Sequence, residues 1–585
     1  MPLLCLVALV AQPLAPQPFV APPLVEQPIP AVGSTALLFD DVTATTELGF
    51  EYHSGATGEL LLPEIMGGGA ALLDYDGDGD LDVYFVQGRP SEAQGQGHRL
   101  LRNDLDGSGS MPRFVDVTAM LGIVEAGIGM GVATGDYDND GWVDLYVANL
   151  GSNALLRNEE GRAFRNVTRE AQVDAPGWSV AATFFDFDRD GWLDLFVVDY
   201  LEWSRERPGT CFAANTRRDY CGPTAFPPAT SRLFRNRGDG TFEPFAIATF
   251  AAGPGPGLGV LAIDADDDGF LDLLVANDGK PNRLWRNLAG RSFRDEGLLM
   301  GIAVNRFGLS EASMGIAPGD VDGDGDEDVL LTHLTGETNT LYLRRGAGLY
   351  EDATLLSGLG PPSVAMTGFG AAFLDLDHDH DLDLVVVNGA VRLEHGRASA
   401  DVSTPGAPTT DRSTAGLGQP NQVFLNQGGG RFVAASDRMP PSFRLAETSR
   451  GLAVGDLDND RVADLLVVNI DAPARLYRGL SGAAAPALGL RLVERHGRDA
   501  LGARVSIRTA TTVVLRVVRS DGSYASAGDP RLLVPRPAPD DGAIEAITVE
   551  WPDGTSEEWT GARLAAALDA AGRGYATLRQ QETTP

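Results

Sequence analysis

The segment Asp74-Tyr75-Asp76-Gly77-Asp78-Gly79-Asp80-Leu81-Asp82 sets aspartates at positions 1, 3, 5 and 9 of a short loop, and the same spacing returns six more times. The sets are Asp74, Asp76, Asp78 and Asp82; Asp136, Asp138, Asp140 and Asp144; Asp186, Asp188, Asp190 and Asp194; and Asp264, Asp266, Asp268 and Asp272. They continue as Asp320, Asp322, Asp324 and Asp328; Asp375, Asp377, Asp379 and Asp383; and Asp456, Asp458, Asp460 and Asp464. A hard cation such as Ca²⁺ takes six to eight oxygens, so alternate carboxylates on a tight loop, with a backbone carbonyl near position 7, suit it. These 28 aspartates are the expected metal ligands, for up to seven calcium ions. Position 6 is glycine in five loops but His380 and Arg461 in loops six and seven, where a left-handed backbone costs more. Loop seven is therefore expected to be the weakest site.

The flanks decide what the loops connect. Helix-bounded calcium loops end with glutamate at position 12, whereas here that position is Phe85, Val147, Val197, Val275, Leu331, Val386 or Val467. Runs such as Ala70–Leu73 and Val83–Val86 are short, apolar and rich in β-branched and aromatic residues, which predicts strand, loop, strand. The pattern resembles the FG-GAP/VCBS calcium-loop repeats of integrin-type β-propellers. Downstream of each loop an Asn/Arg-x-Leu-x-Arg-Asn strand recurs, as in Arg99–Asn103 and Arg232–Asn236, followed by a Gly-x-Phe strand such as Phe114–Thr118. Four strands per repeat make one propeller blade. The seventh repeat lacks its last strand, which reappears as Phe39–Thr43 before the first loop, so the amino-terminal strand is expected to close the ring.

After residue 480 the repeat stops. Strands at Leu488–Val493, Gly502–Ile507 and Val513–Val518, with Ile547–Gly554 carrying Val-x-Trp-Pro-x-Gly, resemble the ASPIC/UnbV family, which includes acidic secreted proteins of cartilage. Two family motifs are replaced here, by Arg498-Asp499-Ala500 and by Leu532–Pro537. Trp551 and Trp559 are expected in the core. The predicted fold is thus all-β: a seven-bladed calcium-loop propeller at 37–480 and a small β-sandwich domain at 487–578, after a signal-like segment and spacer at 1–36.

Composition bears on partners and compartment. The net charge of −35 is largely ligand, since seven divalent ions would return 14 charges, and the remaining acidity argues against nucleic acid. No run of eighteen apolar residues exists to span a bilayer. Leu3–Ala11, apolar and followed by a Pro/Gln/Ala stretch, points to export, so a secreted, periplasmic or cell-surface location is expected. Cys211 and Cys221 read as a stapled loop inside the third repeat, with a metal site as the rival; no nearby histidine supports the latter. Gly389–Pro420, rich in Ser, Thr, Pro and Gly, is expected as a flexible surface loop.

Two further readings accompany binding to a protein or glycan outside the cell. One is a lyase or hydrolase at the central-channel mouth, where His53 and Glu64 are the residues to watch; no Gly-x-Ser-x-Gly or His-Glu-x-x-His motif supports it. The other is a self-assembling surface protein.

Overall fold

The computed structural model describes residues 36–581 apart from 89–96, 106–110, 125–126, 246–252, 347, 394–415, 482–486, 537–541 and 573. Residues 1–35 of the expected signal-like segment and spacer lie outside the described residues. Leu37 onward forms one compact unit.

Each repeat folds as four antiparallel strands. In unit one these are Ala70–Leu73, Asp82–Phe85, Arg99–Asn103 and Phe114–Asp116, with the aspartate loop joining the first two. The first strands of the seven units touch in succession, and Ala70–Leu73 meets Ser449–Gly455, so the units close a propeller-like ring. The missing strand is where the repeat count puts it: Phe39, Asp40 and Asp41 pair with Gly479, Arg478 and Tyr477 of unit seven. The units are not seven separate sheets. Gly177 and Trp178 of unit three pair with Gly151 and Leu150 of unit two, fusing these two units into one eight-stranded sheet.

The carboxy-terminal module has a three-stranded sheet, with Leu488–Val493 between Leu532–Val534 and Tyr575–Arg579, and a four-stranded sheet ordered Val513–Val517, Arg504–Arg508, Ala546–Glu550, Ser556–Thr560. It also contains a helix, Gly561–Ala571, that the strand-based reading lacks. Six alanines and two leucines in eleven residues favour it. Its Leu564 packs in one cluster with Trp551 and Trp559, which are 2% and 4% exposed and meet edge to face.

The module does not stand apart. One apolar cluster runs from Tyr137 and Leu193 in units two and three to Leu501 and Trp551 in the module. Its Ser520–Asp529 segment enters the ring and meets all seven units. Ala527 exchanges backbone hydrogen bonds with Ala70 and Leu72, Ala525 O accepts from Val132 N, Ser523 O accepts from Ile316 N, and Asp529 N donates to Val454 O. Asp521 Oδ2 accepts from Thr183 and Ala262, and Tyr524 stacks edge to face on Phe369 at 4.8 Å. The Tyr524 hydroxyl then donates to Met66 O, 2.7 Å away. Such threading needs a narrow, side-chain-free wall: a Cβ on Gly69 would lie 2.1 Å from Ala525 O.

At the far end of this plug, Leu62, Ile65, Met66, Tyr220 and Leu417 form an apolar cap together with Tyr524. Tyr220 is delivered by the loop that the Cys211–Cys221 disulfide closes. The ends of the 389–420 insertion belong to the cap as well: Ala390 and Leu417 are buried and hydrogen-bonded to each other, and Gln419 accepts from Thr367 N. These residues are therefore interior, in contrast to the surface loop expected, because the stretch's few apolar side chains find the cap. Residues 394–415 lie outside the described residues.

Candidate metal loops and their neighbours

All seven loops share one hydrogen-bond plan. The position-9 aspartate is a clamp: Asp82 accepts from Tyr75 N and Asn103 N, and Asp144, Asp194, Asp272, Asp328, Asp383 and Asp464 repeat this double acceptance. The loop is thereby tied to the second position and to the third strand. Position 5 caps the turn, as when Asp140 Oδ1 accepts from Trp142 N at 3.0 Å. Position 1 gives one oxygen to the position-6 amide in six loops, as Gly141 N to Asp136 Oδ2 at 2.8 Å.

What remains points inward. Oδ1 of Asp74, Asp76, Asp138, Asp188, Asp264, Asp266, Asp322, Asp377 and Asp456 is buried without a hydrogen-bond partner, so every loop supplies at least one such oxygen. Carboxylate oxygens of positions 1, 3 and 5 or of 1, 3 and 9 come within 4.8 Å of one another, as in Asp74, Asp76 and Asp78 or Asp136, Asp138 and Asp144. A buried anionic oxygen with no partner is costly, and several facing each other cost more. These acidic clusters fit a hard metal ion. The position-9 oxygens keep lone pairs for it beyond those given to the backbone.

The arginine of the third-strand signature explains itself here. Arg235 Nε lies 2.6 Å from Asp188 Oδ2, Arg286 pairs with Asp266 Oδ2 and Arg478 holds Asp458, and in the first two the unpartnered Oδ1 is left to the cluster; in unit five Leu343 takes the signature place and Arg345, just past the strand, holds Asp322. In unit one Arg102 pairs with Asp104 instead. Loop seven departs again: the Tyr575 hydroxyl of the module already donates to Asp456 Oδ2 at 2.7 Å, so its first ligand is shared. The expectation that loop seven is the weakest ion site turns on this shared oxygen. Asp458 itself is nearly inaccessible and paired, however, so its loss is not the mild change that ranking implies.

Two elements lie beyond the aspartate spacing. Position 4 is left-handed in all seven loops, including Arg189 (φ 61°) and His378 (φ 61°). The terminal asparagine of the third strand is a strap between units: Asn236 Nδ2 donates to Leu193 O in its own loop and to Tyr137 O in the preceding unit, at 2.9 and 2.8 Å. Asn103, Asn158, Asn287 and Asn426 do the same, Arg344 reaches Asp264 O and Asp267 of the preceding loop, and unit seven has Gly479 there, with no strap. Asn236→Ala strands two buried carbonyls and is expected to cost about 2–4 kcal/mol, read by urea unfolding. A loss below about 1 kcal/mol would refute the strap.

Burial and neighbouring carboxylates raise the loop acids. Desolvation first, then the other aspartates, push Asp136 to about 7 and Asp82 to about 9; Asp272, Asp328 and Asp383 rise to about 8, mainly by desolvation. The folded, metal-free chain then holds protons that the unfolded chain releases near pH 4, so its stability falls as pH rises from about 4 to 9. With a chelator present, the melting temperature is expected to increase on acidification from pH 8 to 6; a decrease would contradict the geometry.

His53 and Glu64 have separate partners. His53 Nδ1 is 3.6 Å from Glu51, whereas Glu64 is buried in the Leu62–Ile65 turn, accepts from the Tyr220 hydroxyl at 3.3 Å and is pushed up by desolvation. Arg498, at one departure from the family motif, is buried in a bidentate pair with Glu494 and donates to Asn139 of loop two.

Comparison with known proteins matches this geometry. The FG-GAP-like repeat model fits residues 74–147, 136–197, 224–275, 264–331, 320–386 and 410–467, and the ASPIC and UnbV model fits 493–569. Cartilage acidic protein 1 of Xenopus tropicalis is 24% identical over 37% of this chain and 41% of its own length; that of Homo sapiens is 27% identical over 27% and 24%. The chain thus matches less than half the length of these relatives. An Agrocybe aegerita lectin that recognises non-reducing terminal N-acetylglucosamine covers 70% of this chain and 87% of its own at 15% identity, with a TM-score of 0.35 that carries no inference about ligand. Among the described residues no helix is long and apolar enough to cross a membrane. With repeat matches spread from Asp74 to Val467 and the module matched behind them, the chain belongs to the FG-GAP-like repeat proteins and ends in an ASPIC and UnbV domain.

Proposed function

We propose that this is an extracellular calcium-binding protein that acts by presenting a rigid surface to a protein or glycan partner. The unpartnered, inward-facing carboxylate oxygens present in every loop carry this reading. Calcium fits better than magnesium, because a cluster of three or four carboxylates on an irregular loop suits a larger ion of flexible geometry, whereas magnesium demands a near-ideal octahedron and keeps its waters. The Cys211–Cys221 disulfide is in keeping with an oxidising compartment, and the matched relatives are named as acidic proteins of cartilage. Residues 37–480 and 487–578 are read as two sequence domains working as one body, the second plugging the first.

Calorimetric titration of chelator-stripped protein tests this. Several calcium sites, up to seven, with the weakest removed by Asp456→Asn, are the expected result. Absence of calcium binding, or equal affinity for magnesium, would overturn the proposal.

A further inference from the structure

A cavity of about 700 Å³ lies where the module covers units five to seven. Three features set it apart. Its lining takes in units six and seven, the one pair whose strap position is held by a glycine, Gly479. Its floor and roof are aliphatic, with Leu374, Leu452 and Val454 from the ring and Leu515 and Leu533 from the module. Finally, the two loops that break the position-6 glycine rule are two of the loops that line it: His380 and Arg461 both face this space, at φ values of 84° and 67° that glycine would adopt without strain. At position 6 the only two departures from glycine thus both line this cavity, although position 4 is left-handed in every loop, so it is the placement of His380 and Arg461 and not strain alone that points to use of these side chains.

The charges there are uneven. Arg519 is held by both oxygens of Glu327, and Arg531 by those of Asp529. Arg461 Nε, by contrast, is buried with no hydrogen-bond partner. Arg516 donates to its neighbour's carbonyl, Leu515 O, and faces Asp320 and Asp375, the first aspartates of loops five and six, which an ion in each loop would neutralise.

We propose that this cavity binds an amphipathic organic anion, its carboxylate between Arg461 and Arg516 and its aliphatic body along the leucine walls. Among the described residues that line it the walls are mainly Leu, Val, Ala and Pro, with no tryptophan or tyrosine platform, which suits an aliphatic acid better than a glycan. The neutralisation at Arg516 rests on the calcium reading; the contribution of Arg461 does not.

The test is calorimetric titration of the full chain, in calcium-containing buffer, with octanoate, 1-octanol and acetate. Octanoate is expected to bind at least tenfold more tightly than either of the others. Arg461→Gly restores the residue of the other loops and is expected to weaken octanoate at least tenfold with an unchanged or higher melting temperature; Arg516→Gln is expected to weaken it similarly. Equal binding of octanoate and 1-octanol, equal binding of octanoate and acetate, no octanoate binding, or full affinity in Arg461→Gly would each overturn the proposal. Repeating the titration with chelator separates the two ideas: loss of octanoate binding only in Arg516-dependent fashion tracks the ions, whereas failure of Arg461→Gly to weaken binding in both buffers sinks the anion site alone.

Discussion

Removing divalent ions with a chelator at neutral pH is expected to lower the melting temperature by at least about 10 °C, with recovery on adding calcium. An ion that binds only the folded state at a hundredfold excess over its Kd contributes about 2.7 kcal/mol. Four such sites would contribute roughly 11 kcal/mol, as much as the whole stability of an ordinary domain. The cost is not evenly spread. Without ions, Asp74, Asp138, Asp264 and their counterparts keep buried oxygens facing one another, so each loop changes from a brace into a repulsive cluster. A melting temperature that stays within about 2 °C after exhaustive chelation would mean that the loops hold their shape through the clamp and strap alone.

Tyr524→Ala is expected to be the most damaging single change outside the loops, at about 3–5 kcal/mol. The side chain is fully buried, packs on Phe369 at 4.8 Å and carries the only hydroxyl of the plug that reaches Met66 O. Tyr524→Phe keeps the ring and loses one hydrogen bond, about 1 kcal/mol. Phe212→Ala, at a phenylalanine 61% exposed, should stay within about 0.5 kcal/mol. If Tyr524→Ala proves as mild as Tyr524→Phe, the segment is a lid resting on the ring and not part of its core.

What could be read ahead of the structure was whatever is local along the chain. Asp74 to Asp82 span only nine residues, so the spacing alone shows the acidic clusters, and the hydrophobic flanks give the strands. The displaced strand at Phe39 was legible because a repeat leaves a visible gap when a piece is missing. Long-range pairings were not. Asn236 is visible as a repeated letter, but its bond to Tyr137 O joins residues of different units, and no periodicity encodes that. Nothing along the chain marks Gly522–Ser526; only the narrow bore left by glycines such as Gly69 makes it a plug. Gly561–Ala571 was within reach from alanine content and was hidden by the strand pattern around it. Glu64 was placed at a channel mouth that in fact is capped, because a cap assembled from Leu62, Tyr220 and Leu417 draws on three distant stretches.

The order in which the parts leave the ribosome gives the plug a temporal meaning. Phe39, which seals the ring against Arg475–Gly479, emerges long before Tyr524, which fills it. Until then Leu72, Val132 and Ile316 have backbone amides with no plug to receive them. A polypeptide cut short before Ser520 would carry a seam of unpaired strand groups in its ring, of the kind that quality-control proteases and chaperones are equipped to find.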